Sequence, residues 1–176
     1  MKKYNDFLIR TKDKSILKFS YKEDMGIFYE TIISSKIVDK NILYKGCLKY
    51  FYVFEDSNKY INLIYQDLIG NIILCVFSSN SSKYRRLFYS KHNFITPINM
   101  KGIAHKEEFI LFYNLDSNPE KVYFRNNINA TSIVIYEEKN DIHVDFKILY
   151  SKDYISLIIY SVSFNIFKII LKTYNL

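Results

Sequence analysis

Three aspartates recur at similar places along the chain: Asp24, Asp67 and Asp116 each follow a tyrosine (Tyr21, Tyr65 or Tyr113) by two or three residues. Carboxylates repeated this way suit a divalent cation or a basic ligand, because a hard cation takes oxygen ligands. A hydrolase would use the same groups as acid and base. Glu137, Glu138 and Asp141 add acidity after the third copy. The simpler role is local, since an aspartate in a turn caps backbone N–H groups of its own loop. Turn capping is the favoured reading, and an acidic face carrying Asp24, Asp67 and Asp116 is the candidate ligand site.

Other chemistry is thinly represented. His92, His105 and His143 are scattered, and none has an orienting partner nearby in sequence. Cys47 and Cys75 lie in apolar segments without Cys-x-x-Cys spacing and read as reduced core residues. The chain has no phosphate-cradling glycine loop, no Trp-Asp blade ending, no Ser-x-Asp-x-Gly-x-Thr-Trp box and no nucleophile motif. Hence no catalytic residue, metal or cofactor is expected. The series Tyr21, Tyr44, Tyr65, Tyr89, Tyr113 and Tyr136 is expected to be core, with a ligand cleft as its alternative.

The formal net charge of +7 raises nucleic acid or anionic surfaces as partners. Only Lys83-Tyr84-Arg85-Arg86 is a dense basic tract, and strand alternation would divide it between two faces. A nucleic-acid partner is therefore disfavoured. The apolar stretch from Tyr154 to Leu171 approaches bilayer-spanning length, but Ser156, Ser161, Ser163, Asn165 and Lys168 interrupt it. A membrane role is disfavoured too, and without a signal-type leader the protein is expected in the cytoplasm.

These residues are positioned by a repeat. Leu17-Lys18-Phe19-Ser20-Tyr21, Ile61-Asn62-Leu63-Ile64-Tyr65 and Phe109-Ile110-Leu111-Phe112-Tyr113 are alike, with Ile155-Ser156-Leu157-Ile158-Ile159 as a weaker fourth copy. Their starts are 44, 48 and 46 residues apart (61−17, 109−61 and 155−109), a spacing typical of four short strands per repeat. Gly26, Gly70 and Asn118 follow each motif tyrosine by five residues, where a hairpin turn needs positive φ.

The pattern predicts one domain, residues 1–176, of repeats at about 4–45, 46–90, 91–139 and 140–176, the last incomplete. Strands are expected near 5–11, 16–22, 27–34, 41–45, 48–55, 60–66, 71–78 and 84–89. They continue near 94–104, 108–114, 121–126, 131–137, 142–150, 154–160 and 165–173. The connection from Ser90 to Gly102, with Pro97, is where an elaborated loop is expected, a bent strand being the alternative. Runs such as Ile72-Ile73-Leu74-Cys75-Val76-Phe77 are apolar on both faces, as in sheets stacked around an axis. The expected fold is all-β, antiparallel four-stranded repeats arranged as a β-propeller or partial propeller, with a β-sandwich as alternative.

The segment from Ile61 to Leu74 resembles a repeat of uncharacterised β-propeller-repeat proteins of AT-rich, spore-forming bacteria. The resemblance covers residues 5 to about 137 and implies a fold and no activity. Many such repeats carry a tryptophan, which this chain lacks. The expected function is a non-enzymatic binding or scaffolding module for a protein or glycan partner. A lectin with one shallow sugar site per repeat and a hydrolase using the acidic face are the alternatives. Because the fourth repeat stops before an outer strand, a homo-oligomer completing the ring is also expected.

Overall fold

The computed structural model describes residues 6–56, 58–77, 84–91, 96–105, 108–126, 132–139, 144–150, 154–161 and 166–172. Fifteen strands are formed among them: β1 Phe7–Arg10, β2 Ile16–Lys22, β3 Gly26–Ile33, β4 Lys36–Tyr44, β5 Cys47–Glu55, β6 Ile61–Asp67, β7 Asn71–Phe77 and β8 Tyr84–Lys91. The series continues with β9 Pro97–His105, β10 Glu108–Leu115, β11 Asn118–Asn126, β12 Ile133–Glu137, β13 Val144–Tyr150, β14 Tyr154–Ser161 and β15 Ile166–Lys172. The protein is all-β, and the strands pair antiparallel with their chain neighbours into four sheets, β1–β4, β5–β8, β9–β12 and the three-stranded β13–β15. Each sheet is built from one contiguous stretch of chain.

Two details differ from the sequence expectation. Strand β4 starts at Lys36 rather than near 41, because Ser34 and Ser35, with φ of 48° and 63°, make a two-residue hairpin turn. Such turns favour Asn-Gly, so a Ser-Ser pair gives no turn signal. Strand β9 begins at Pro97, which removes most of the loop expected from Ser90 to Gly102; the irregularity there is a register shift opposite Phe112 and Asn114, with Asn99 at φ 49°. The apolar stretch from Tyr154 forms the paired strands β14 and β15. No helix among the described residues is long and apolar enough to cross a membrane.

The chain divides into two compact units, Met1–Phe94 and Ile95–Leu176. In the N-terminal unit the first two sheets are copies in register. Arg10 pairs with Ile16 and Ile16 with Ile32; Glu55 pairs with Ile61 and Ile61 with Phe77, an offset of 45 throughout (61−16). Their shared core takes Phe19, Ile27 and Tyr29 from sheet one and Phe51, Val53, Ile61, Leu63, Tyr65, Ile73, Cys75 and Phe77 from sheet two. An odd offset moves each residue to the opposite face, since side chains alternate along a strand. Phe19 therefore corresponds to Ile64, on the far side of sheet two, and the copies stack front to back. Gly26, at φ 72°, closes the β2–β3 turn, where any Cβ would run into the Tyr44 carbonyl oxygen.

In the C-terminal unit, Ile110 and Phe112 of β10, Val122 and Phe124 of β11, Val144 and Phe146 of β13 and Ile155, Leu157 and Ile159 of β14 form one core. Ser156 sits on the other side of β14, buried. Residues apolar on both sides of a strand are what this arrangement needs, and the continuous apolar runs supply them.

Candidate functional site

The three sequence-predicted aspartates have different environments. Asp67 is 4% exposed. Its Oδ1 accepts from the backbone N–H groups of Ile69 (3.1 Å) and Asn71 (2.8 Å), and its Oδ2 from Asn71 Nδ2 (2.8 Å). It is engaged by its own turn. Asp24 and Asp116 are exposed in the β2–β3 and β10–β11 turns. At the structural offset of 45, Asp67 corresponds to Lys22, not Asp24, so the first two aspartates are not equivalent positions. Among the described residues no group of three or more His, Cys, Asp or Glu could hold a metal ion. His92, His143 and Asp141 lie outside the described residues.

The repeated tyrosines are largely interior. Tyr65 and Tyr113 are each 1% exposed. Tyr113 donates to Ser132 Oγ at 2.6 Å, and burial pushes its phenol pKa up. Tyr44 packs on Tyr65 with ring centroids 5.2 Å apart. Tyr136 donates to Glu138 Oε2 at 2.9 Å; burial and that carboxylate push its pKa to about 12. The side chain of Tyr89 lies outside the described residues.

What the fold brings together instead is a pair of hairpin tips. The β1–β2 turn closes with Thr11 N–H to Ser15 O and Lys14 N–H to Thr11 O; the β5–β6 turn closes with Asp56 N–H to Tyr60 O and Lys59 N–H to Asp56 O. The two sets of closing bonds are alike and 45 positions apart (59−14). Each turn needs a left-handed residue, and each has lysine there, Lys14 at φ 69° and Lys59 at φ 67°. Glycine relieves that conformation, whereas a side chain makes it costly.

Side-chain caps hold both loops. Asp13 takes hydrogen bonds from Thr11 and Ser15, which keep its carboxyl below the usual carboxylate range. Asp56 Oδ1 accepts from the N–H groups of Asn58 and Tyr60, and its Oδ2 from Asn62 Nδ2.

Between the tips lies an open cleft of about 250 Å³, lined by Arg10, Thr11, Lys12, Glu55, Lys59 and Ile61. Ile61 is buried at its base. Three cations and one carboxylate form the wall. The carboxylate is already committed, with Glu55 Oε1 2.6 Å from Lys59 Nζ. That bond and charge push the Lys59 ammonium pKa up. Neither Arg10 nor Lys12 has a salt-bridge partner among the described residues. Composition did not reveal this group, because its cations are dispersed in sequence. The signal available was Lys14 and Lys59, which share a loop position only after the strands are registered.

The C-terminal unit has its own polar cluster, spanning sheets three and four. Asn99 Nδ2 donates to Asn114 Oδ1 (3.0 Å) and to Asp145 Oδ1 (2.9 Å). Lys101 Nζ lies 3.1 Å from Asp145 Oδ1, also reaches the Phe146 carbonyl, and sits 4.6 Å from the centroid of the Phe146 ring. Asn114 Nδ2 donates to the Lys121 carbonyl at 2.7 Å. Burial raises the Asp145 pKa, but the Lys101 charge and the surrounding donors outweigh it and hold the carboxyl below its ordinary value. The donors and acceptors of this cluster answer one another, so its chemistry is that of a clip between sheets.

The chain matches no protein-family model, and comparison with curated proteins gives no match.

Proposed function

We propose that this chain is a non-enzymatic binding module whose sheets are blades of a β-propeller or partial propeller, and that it takes its ligand between the hairpin tips of the first two. The cleft of about 250 Å³ carries this reading: it is open, has a buried apolar base at Ile61, and has two cations, Arg10 and Lys12, with no salt-bridge partner among the described residues. Binding sites commonly combine such a concavity with a few placed polar groups. Front-to-back stacking in the N-terminal unit supports the blade reading over a sandwich, in which two sheets face each other. Burial of Tyr65 and Tyr113 counts against a lectin stacking sugars on these rings. The engagement of Asp67 in its own turn counts against a hydrolase built on the three aspartates.

The test is a methyl-NMR screen of isoleucine-labelled protein against acidic, basic and neutral fragments. Shifts centred on Ile61 support the reading. A screen that leaves Ile61 unmoved, whether or not other methyls respond, counts against it.

A further inference from the structure

The lining of the cleft points to the charge and kind of its occupant. Arg10 and Lys12 come from the first tip and Lys59 from the second, and Glu55, the one carboxylate among the lining residues, is held by Lys59. Asp13 and Asp56, the neighbouring carboxylates, are bonded within their own loops. An anion entering here meets a guanidinium and an ammonium that have no carboxylate partner among the described residues. Arginine presents a fork of donors matched to a carboxylate.

Of the two lysines at positive φ, only Lys59 lines the cleft; a long cationic side chain stands there where glycine would cost less. Strained backbone of this kind is where function is often stored.

From these features we infer that the cleft receives an acidic side chain of a peptide or protein partner, with Arg10 and Lys12 taking the carboxylate and Ile61 the apolar stem. The inference rests on the cleft being a binding site, as proposed above. Its dimensions suit one side chain rather than a tract of nucleic acid. A phosphodiester backbone crossing the tips would meet Glu55, and no aromatic residue lines the cleft to stack a base.

The experiment titrates a hexaglutamate peptide, a hexalysine peptide and a six-residue oligothymidylate into the full chain, reading the Ile61 methyl and calorimetric affinity. Hexaglutamate is expected to move Ile61 and to bind tightest of the three. Its affinity is expected to fall about tenfold or more when salt rises from roughly 50 to roughly 500 mM, and again in Arg10→Gln/Lys12→Gln. Glu55→Gln, which frees Lys59 and removes the opposing charge, is expected to strengthen binding about threefold, as removal of a like charge should. This variant changes affinity in the opposite direction, so general loss of folding cannot imitate it.

Tighter binding of the oligothymidylate, or weaker hexaglutamate binding in Glu55→Gln, would overturn the inference. Fragments that move Ile61 without preference for acids would overturn it while leaving the binding reading intact. If no fragment or peptide moves Ile61, both fail.

Discussion

Sheets one and two of the N-terminal unit are copies of one meander, yet their corresponding faces are written differently. On the face that sheet two packs against sheet one stand Phe51, Val53, Ile61, Leu63, Tyr65, Ile73, Cys75 and Phe77. The registered equivalents on sheet one are Asp6, Leu8, Ile16, Lys18, Ser20, Phe28, Glu30 and Ile32. Four of the eight have become polar, and they engage one another or nearby strands. Ser20 Oγ donates to Asp6 Oδ1 at 2.7 Å, Lys18 Nζ is 3.1 Å from Asp6 Oδ2, and Lys40 bridges to Glu30 at 3.6 Å while lying over the Phe28 ring. The same backbone thus supports an interior face in one copy and a polar face in the other. A second copy of the chain docking on sheet one would have to desolvate Asp6, Lys18 and Glu30, so any ring-completing association is expected through other surfaces.

The sharpest way to break the comparison is to exchange the faces. Leu63→Lys writes the sheet-one residue into the packed interface, where an unpartnered cation costs about 4 kcal/mol or more. That is a large share of a typical domain's stability. Urea unfolding followed by tyrosine emission should show the transition that reports on the N-terminal unit shifted far down or absent; a midpoint near the parent's would mean that the two faces are not equivalent in burial.

A smaller effect separates the turns. Asp67→Ala removes the acceptor for two N–H groups and a side-chain amide and is expected to cost about 2 kcal/mol, whereas Asp24→Ala in the first copy should stay within about 0.5 kcal/mol. Equal losses in chemical denaturation would restore the aspartates as equivalent positions.

Asp145→Asn carries the comparison to the other unit, where charge is admitted to a seam between sheets. The carboxylate is 50% exposed, so solvent screening limits its pairing with Lys101 to about 1 kcal/mol. Because its folded pKa is depressed, the contribution is complete above the unfolded value near 3.9 and disappears as pH falls through the folded value. The variant should therefore differ from the parent at pH 7 and converge with it near pH 2. A gap that widens on acidification would reverse the assigned sign.

Least costly is Lys18→Leu/Glu30→Val, which gives sheet one the apolar character of sheet two. Stability should change by less than about 1 kcal/mol, since the residues are near the surface, while light scattering at rising concentration should reveal more self-association than in the parent. An unchanged mass would show that the polar positions do not act as a cap.

The strand layout was legible because apolar runs and turn residues repeat together. The β3–β4 turn was not, since Ser34 and Ser35 do there what Asn-Gly does elsewhere. The aspartates were visible as a motif, but the motif tyrosines stand 44 apart (65−21) and Asp24 and Asp67 stand 43 apart (67−24), while the hydrogen-bonded register is 45. That two-residue discrepancy turned unlike positions into an apparent set. Arg10 and Lys12 meet Lys59 only through the packing of separate hairpins, and nothing local in the sequence joins the two sides.

Cys47 and Cys75 are the chain's only cysteines. Neither forms a disulfide, and both are buried in the core between sheets one and two. Burial pushes the Cys47 thiol up, leaving little of the reactive thiolate. A thiol reagent must therefore wait for sheet one to lift from sheet two, and its rate clocks that event alone, because the C-terminal unit has no thiol to answer. Set beside the free energy of global denaturation, the labelling free energy reveals whether the chain opens all at once or surrenders its first two sheets separately.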